Sequence, residues 1–323
     1  MADRSNNEAS EEIRERRLRR RFRKGVFVIP SLFTTANIFC GFYSVMESLA
    51  GVHWLSLERV DLATDHFDRA AINIGFAWLF DILDGRLARM TRATSEFGLE
   101  LDSIADVLSF GIAPAVLAYS WGYGQFPEFH KLAWGASFFY VICGSLRLAR
   151  FNVQARQPSP NLPPKNPKIE KKAFVGMPIP SGAGLIAAIA HFSPAPVKYA
   201  VGYHFSVAGR TVALNGRVFA IALLALVTLL ALLMVSTIRY TSFKHAGARN
   251  YHPRVLILAL ALVVLAVWFY SQWSLLIIST AYVSHGLLGK LWSMVKHRRG
   301  GIERPEKDIV IDGAADFGPE PHP

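Results

Sequence analysis

Eight apolar runs, each close to the roughly 20 residues an α-helix needs to cross a bilayer, fall at about 27–50, 70–90, 100–120, 131–149, 174–193, 217–238, 254–271 and 273–292. Hydrophobic residues make up 52% of the 323 and charged ones only 18%. The expected fold is an all-α integral membrane bundle of about eight transmembrane helices. The runs divide the chain into a basic tail over 1–24, a transmembrane domain over 25–292 and a tail over 293–323. Pro305, Pro319, Pro321 and Pro323 mark the last as disordered.

Orientation follows from the cations, because short loops rich in Lys and Arg stay on the cytoplasmic side. The N-terminal tail holds Arg14, Arg16, Arg17 and their neighbours, and the turn after the second run holds Arg89 and Arg92. The Pro-rich segment 153–172 holds Lys165, Lys168, Lys171 and Lys172, and further cations follow the sixth and eighth runs. The alternate loops are poorer, as at 121–130. Both termini are therefore expected in the cytoplasm. The net charge of +11 needs no nucleic-acid partner, since topology and contact with anionic membrane lipids account for it.

The second and third runs are the anomalous ones. They carry Asp81, Asp84, Asp102 and Asp106, although an Asp at the centre of a membrane helix costs about 2.5–3.5 kcal/mol on the insertion scale. Asp81 and Asp84 are three apart and Asp102 and Asp106 four apart, so each pair shares one helix face. Two such faces turned together make an all-oxygen cage for a hard divalent cation, Mg²⁺ or Mn²⁺, which completes its shell with substrate phosphates. Gly85 and Ala88 leave room beside the carboxylates, Arg89 offers a cationic fork to a phosphate, and Gly98 lets the helices approach. The plainer reading is a set of inter-helix salt bridges, Asp84 with Arg89 or Asp102 with Arg86, for which basic partners are too few.

The spacing D-x2-D-G-x2-A-R-x8-G-x3-D-x3-D, set by Asp81, Asp84, Gly85, Ala88, Arg89, Gly98, Asp102 and Asp106, resembles the signature of the CDP-alcohol phosphatidyltransferases. Three further stretches, 29–45, 144–153 with 174–184, and 234–244, resemble the branch of integral-membrane phosphatidylserine synthases. That resemblance implies transfer of a phosphatidyl group from CDP-diacylglycerol to L-serine with release of CMP, two divalent ions at the aspartates, and a homodimer. It also implies a bacterial cytoplasmic (inner) membrane, with the site toward the cytoplasm. In that scheme Asp106 is base, ligand or both, beside Asp102, and Thr34, Asn37, Gly85, Ala88, Arg89 and Gly98 bind CDP-diacylglycerol.

The serine carboxylate asks for a cation, and Arg147, Arg150 and Arg239, with Asn152 and Lys244, stand in motifs of that branch. Anchoring at the interface is their plainer reading. Two other functions stay open. A sister enzyme using glycerol 3-phosphate or inositol would carry the same aspartates. An ion or proton transporter would also place acids in the membrane, although its paired discontinuous spans are not visible in the sequence. The histidines His53, His191, His204 and His285 have no ligand-spaced partner, so ordinary span or loop positions are expected. An interfacial belt accounts for Trp54, Trp121, Trp273 and Trp292.

Overall fold

The computed structural model describes residues 32–91, 96–156, 173–199, 203–207, 210–241, 261–262 and 264–300. Helices dominate. α1 covers 32–56 and α2 Val60–Thr91. A tight turn joins them, in which Glu58 takes the left-handed conformation (φ 60°) and Arg59 N–H returns to the Trp54 carbonyl at 3.0 Å. That arrangement satisfies carbonyls left open at a helix end. α3 covers Glu96–Gln125 and α4 His130–Arg156, followed by α5 at Ile179–Phe192, α6 at Gly216–Val235 and α7 at Ser271–Gly300. α7 thus runs past the boundary drawn at 292 from hydropathy.

Three helical stretches among the described residues are long and apolar enough to cross a membrane: Glu96–Gln125, Pro127–Val153 and Gly216–Val235. The outward faces carry Phe39, Phe42, Met46 and Leu49 on α1, Trp134 and Phe138 on α4, and Leu229 and Leu232 on α6, all exposed. So large an apolar surface suits lipid rather than water, and the chain reads as a membrane protein.

Two short antiparallel strand pairs depart from the all-helical expectation. β1 (Ala173–Val175) pairs with β4 (Arg239–Thr241), and β2 (Tyr203–Val207) pairs with β3 (Arg210–Leu214). The first pair ties the entrance of α5 to the exit of α6. It is continued by Gly176 N–H to the Ile238 carbonyl at 2.9 Å and Met177 N–H to the Leu233 carbonyl at 3.0 Å. β2 and β3 form a hairpin just before α6, whose first turn is capped by Asn215 Oδ1 accepting from Val218 N–H.

Small residues set the close helix contacts, as lipid supplies no hydrophobic drive between helices. A Cβ at Gly51 would stand 2.7 Å from Phe67 on α2, and Ser44 donates to the Ala70 carbonyl at 2.8 Å. These contacts seam α1 to α2. α5 packs on α2 and α7, while α4 packs on α6. Trp121 corrects the belt expectation: it is buried in the protein, and its indole N–H points at the carbonyls of Ser193 (3.1 Å) and Ala195 (3.0 Å). An indole N–H taken out of water needs such a partner.

Candidate active site

α2 carries Asp81 and Asp84 toward its C-terminal end, and α3 carries Asp102 and Asp106 in its first turns. The fold turns these faces together. Carboxylate oxygens of Asp81, Asp102 and Asp106 lie within 4.8 Å of one another. Asp84 is buried beside them and accepts a hydrogen bond from the Thr34 hydroxyl of α1. Among the described residues none of the four aspartates forms an ion pair. The Asp102–Arg86 pairing therefore finds no support there, and the Asp84–Arg89 pairing lies outside the described side chains. Among the described residues the cation that acts on Asp106 is Arg147 of α4, with no direct hydrogen bond between them.

Directly after Asp106 the helix widens into π geometry over Val107–Ile112. Such a segment shifts backbone partners and is frequent at functional sites. The Phe110 carbonyl there accepts from the Tyr140 hydroxyl of α4 at 3.2 Å, so the widened turn is held from the neighbouring helix. Tyr140 is fully buried. Ser109 in the same turn donates to the Asn37 carbonyl of α1 at 2.9 Å. One turn thereby aims Asp106 and draws α1 onto the site.

Asn37 is wholly buried, and both atoms of its side-chain amide lack a hydrogen-bond partner. Asp106 Oδ1 and Arg147 Nε are in the same condition. Buried polar groups are nearly always paired, so these three mark where a ligand's own polar atoms belong. The donor set is all oxygen and anionic. It fits a hard divalent cation, and the unpaired Asp106 oxygen fits the same role.

The remaining sequence-derived positions divide clearly. Asn152 of α4 donates to Ser103 at 2.8 Å, next to Asp102, and so braces α4 against α3. Arg147 is partly buried and within electrostatic range of Asp106 and of Tyr282 on α7, whereas Arg150 is exposed. Gly85 and Gly98 lie on the two aspartate helices, and the backbone of α2 passes through Ala88 and Arg89. Arg239 pairs through its backbone with Val175. Lys244 and residues 157–172 of the Pro-rich segment 153–172 fall outside the described residues. Sequence reasoning missed Ser103, Ser109 and Tyr140, because each acts through a backbone or side-chain partner distant in the chain.

The CDP-alcohol phosphatidyltransferase family profile matches residues 27–212, more than half of the chain, including every aspartate of the cluster. The chain belongs to that family. Its relatives sharpen the picture of this phosphatidyltransferase. A CDP-diacylglycerol–serine O-phosphatidyltransferase of Helicobacter pylori (strain ATCC 700392 / 26695) is 32% identical over 272 residues, covering 84% of this chain and 94% of the relative. The protein of that name from Bacillus subtilis (strain 168) is 32% identical over 224 residues, 69% of this chain and 94% of the relative. One from Saccharomyces cerevisiae is 37% identical over 160 residues, about half of each chain.

Proposed function

We propose that this phosphatidyltransferase moves the phosphatidyl group of CDP-diacylglycerol to L-serine, giving phosphatidylserine and CMP. The observation that carries the chemistry is the three-carboxylate cluster of Asp81, Asp102 and Asp106, with oxygens within 4.8 Å. The acceptor is supported by the names of the relatives and by Arg147 beside Asp106, a cation suited to a serine carboxylate.

Asp81, Asp84, Asp102 and Asp106 would hold two divalent ions, Mg²⁺ or Mn²⁺, which when bound would supply neutralisation of the diphosphate and of the leaving CMP. The chain's own residues do the rest. Thr34 holds the Asp84 carboxylate in one orientation. Asn37, Gly85, Ala88, Arg89 and Gly98 receive the nucleotide end of the donor. Arg147 holds the serine carboxylate, and Arg150, Asn152, Arg239 and Lys244 are the further candidates for contact with serine or phosphate. Asp106 accepts the proton of the serine hydroxyl as that oxygen bonds to phosphorus and the bond to CMP breaks, the role of a positioned general base.

The wider reading is an eight-span domain over 25–292, with the 1–24 and 293–323 tails cytoplasmic. It works as a homodimer in a bacterial inner membrane, with the site open toward the cytoplasm. Purified protein given CDP-diacylglycerol and, in turn, labelled serine, glycerol 3-phosphate and inositol tests the reaction. Release of CMP with serine is the expected result, and release only with another alcohol would overturn the acceptor assignment.

A further inference from the structure

Pro114 stands inside α3, four residues after Phe110. A proline has no N–H, and its ring crowds the carbonyl four residues before it. The Phe110 carbonyl therefore loses its ordinary α-helical donor. Over the same stretch the helix takes its π geometry, and Ala113 N–H goes back five residues to the Leu108 carbonyl. Tyr140 of α4 supplies the donor that Pro114 lacks, its hydroxyl reaching the Phe110 carbonyl at 3.2 Å. Phe110 and Tyr140 are both fully buried, so bulk water does not stand in for that hydroxyl. Room for it comes from α5, where a Cβ on Gly182 would stand 3.1 Å from the Tyr140 oxygen.

Asp106 is the residue immediately before this turn. Beyond the turn, Ala113, Pro114, Ala115 and Leu117 are buried and pack against α2, α4 and α5, which fixes that half of α3 in the bundle. The aspartate half is joined to it through the widened turn. One residue of helix corresponds to about 100° of rotation. A slip of one residue in the turn's hydrogen-bond register would swing the aspartate face by about that angle, away from Asp81, whose carboxylate it now meets within 4.8 Å. The register is held from two sides, by Tyr140 at the Phe110 carbonyl and by Ser109 donating to the Asn37 carbonyl of α1 at 2.9 Å.

We propose that Tyr140 is a positioning residue for Asp106: by giving the Phe110 carbonyl the donor that Pro114 denies it, the tyrosine fixes the register of the π-helical turn and so the direction in which Asp106 presents its carboxylate. This rests on the reading of Asp106 as the base that takes the serine proton. A hydroxyl that served packing alone would change stability and leave turnover per folded molecule as it was. One that aims the base changes turnover while both substrates still bind.

The test uses full-length enzyme in lipid nanodiscs at saturating Mg²⁺, with kcat and both KM values read from CMP release. Tyr140→Phe deletes one oxygen and keeps the ring. It should lower kcat about tenfold, equivalent to about 1.4 kcal/mol on the barrier and within the cost of leaving a buried acceptor unpaired. The serine and CDP-diacylglycerol KM values should change little. Tyr123→Phe is the control, a buried tyrosine at the far end of α3 whose hydroxyl meets Ser137 Oγ at 2.8 Å. It stands about 25 Å along the helix from Asp106, and its removal should leave kcat unchanged. Hydrogen exchange of the 107–113 amides, measured in EDTA without substrate, should quicken in Tyr140→Phe and not in Tyr123→Phe. Pro114→Ala returns an N–H to the Phe110 carbonyl. In that background Tyr140→Phe should cost less in both readouts than it does alone, as for two groups that share one partner. Wild-type kcat in Tyr140→Phe, an equal fall in both tyrosine variants, unaltered exchange across the turn, or strict additivity with Pro114→Ala would each overturn the proposal. Turnover retained in Asp106→Asn would instead overturn the reading of Asp106 as base, on which the proposal rests.

Discussion

A Cβ on Gly41 would stand 2.8 Å from the Cα of Ser109, so α1 and α3 touch backbone to backbone at this point. The contact lies one turn beyond Asn37 and within the π-helical turn that follows Asp106. Gly41→Ala must push the helices apart, because backbone rather than a movable side chain blocks the new atom. Overpacking of this kind costs about 1–3 kcal/mol. We expect a lowered unfolding midpoint in detergent together with reduced CMP release. Adding Ser109→Ala should not restore either, since the Ser109 backbone remains in the way.

Asp81→Asn and Asp102→Asn should each abolish turnover while the protein still enters the membrane and keeps its unfolding transition. Each change keeps the side-chain volume and removes one anionic ligand from a set whose oxygens lie within 4.8 Å. EDTA should stop the wild-type enzyme, and added Mg²⁺ or Mn²⁺ should restart it. Turnover that survives either substitution, measured as CMP release, would remove the metal cage from the mechanism.

The aspartates were legible in the sequence because their pairing is local: three- and four-residue spacing on a helix fixes a shared face. Their framework was not. Asn152 reaches Ser103 across 49 residues and Ser109 reaches the Asn37 carbonyl across 72, and no periodicity announces such partners. The π-helical turn after Asp106 changes hydrogen-bond pairing without changing composition, so hydropathy reads straight through it. Trp121 shows a different failure, since position near a span end suggested lipid contact and the fold buried it.

Thr34 supplies a hydroxyl donor to the buried Asp84 carboxylate from a third helix. Thr34→Val keeps the shape and deletes the donor. Leaving a buried acceptor unsatisfied costs about 1–3 kcal/mol, and Asp84 would then turn toward other partners. The expected outcome is a higher divalent-ion concentration for half-maximal activity, read from a metal titration, with Thr34→Ser close to wild type.

Gly176 takes φ +85°, and a Cβ there would run into the Met234 carbonyl oxygen. Gly176→Ala is therefore strained twice, by conformation and by contact. It should loosen the link between the start of α5 and the end of α6. Strain at a left-handed position costs about 1–3 kcal/mol, so a clear drop in thermal midpoint is expected. Gly184 on α5 is the control: a Cβ there meets nothing within 4 Å, and Gly184→Ala should leave the midpoint unchanged or slightly raised.

Arg147→Ala separates substrate binding from helix anchoring. A residue that merely holds α4 at the interface would be replaced by Lys without effect, since either cation reaches the headgroups. One that binds a carboxylate through a planar fork would not. Its buried, unpaired Nε and its electrostatic coupling to Asp106 point to the second role. The expected result is a serine KM raised about tenfold or more, as for a lost charge-assisted hydrogen bond, with the CDP-diacylglycerol KM little changed. Arg147→Lys should recover only part of the loss. Equal serine KM values for wild type and both variants would return Arg147 to an anchoring role.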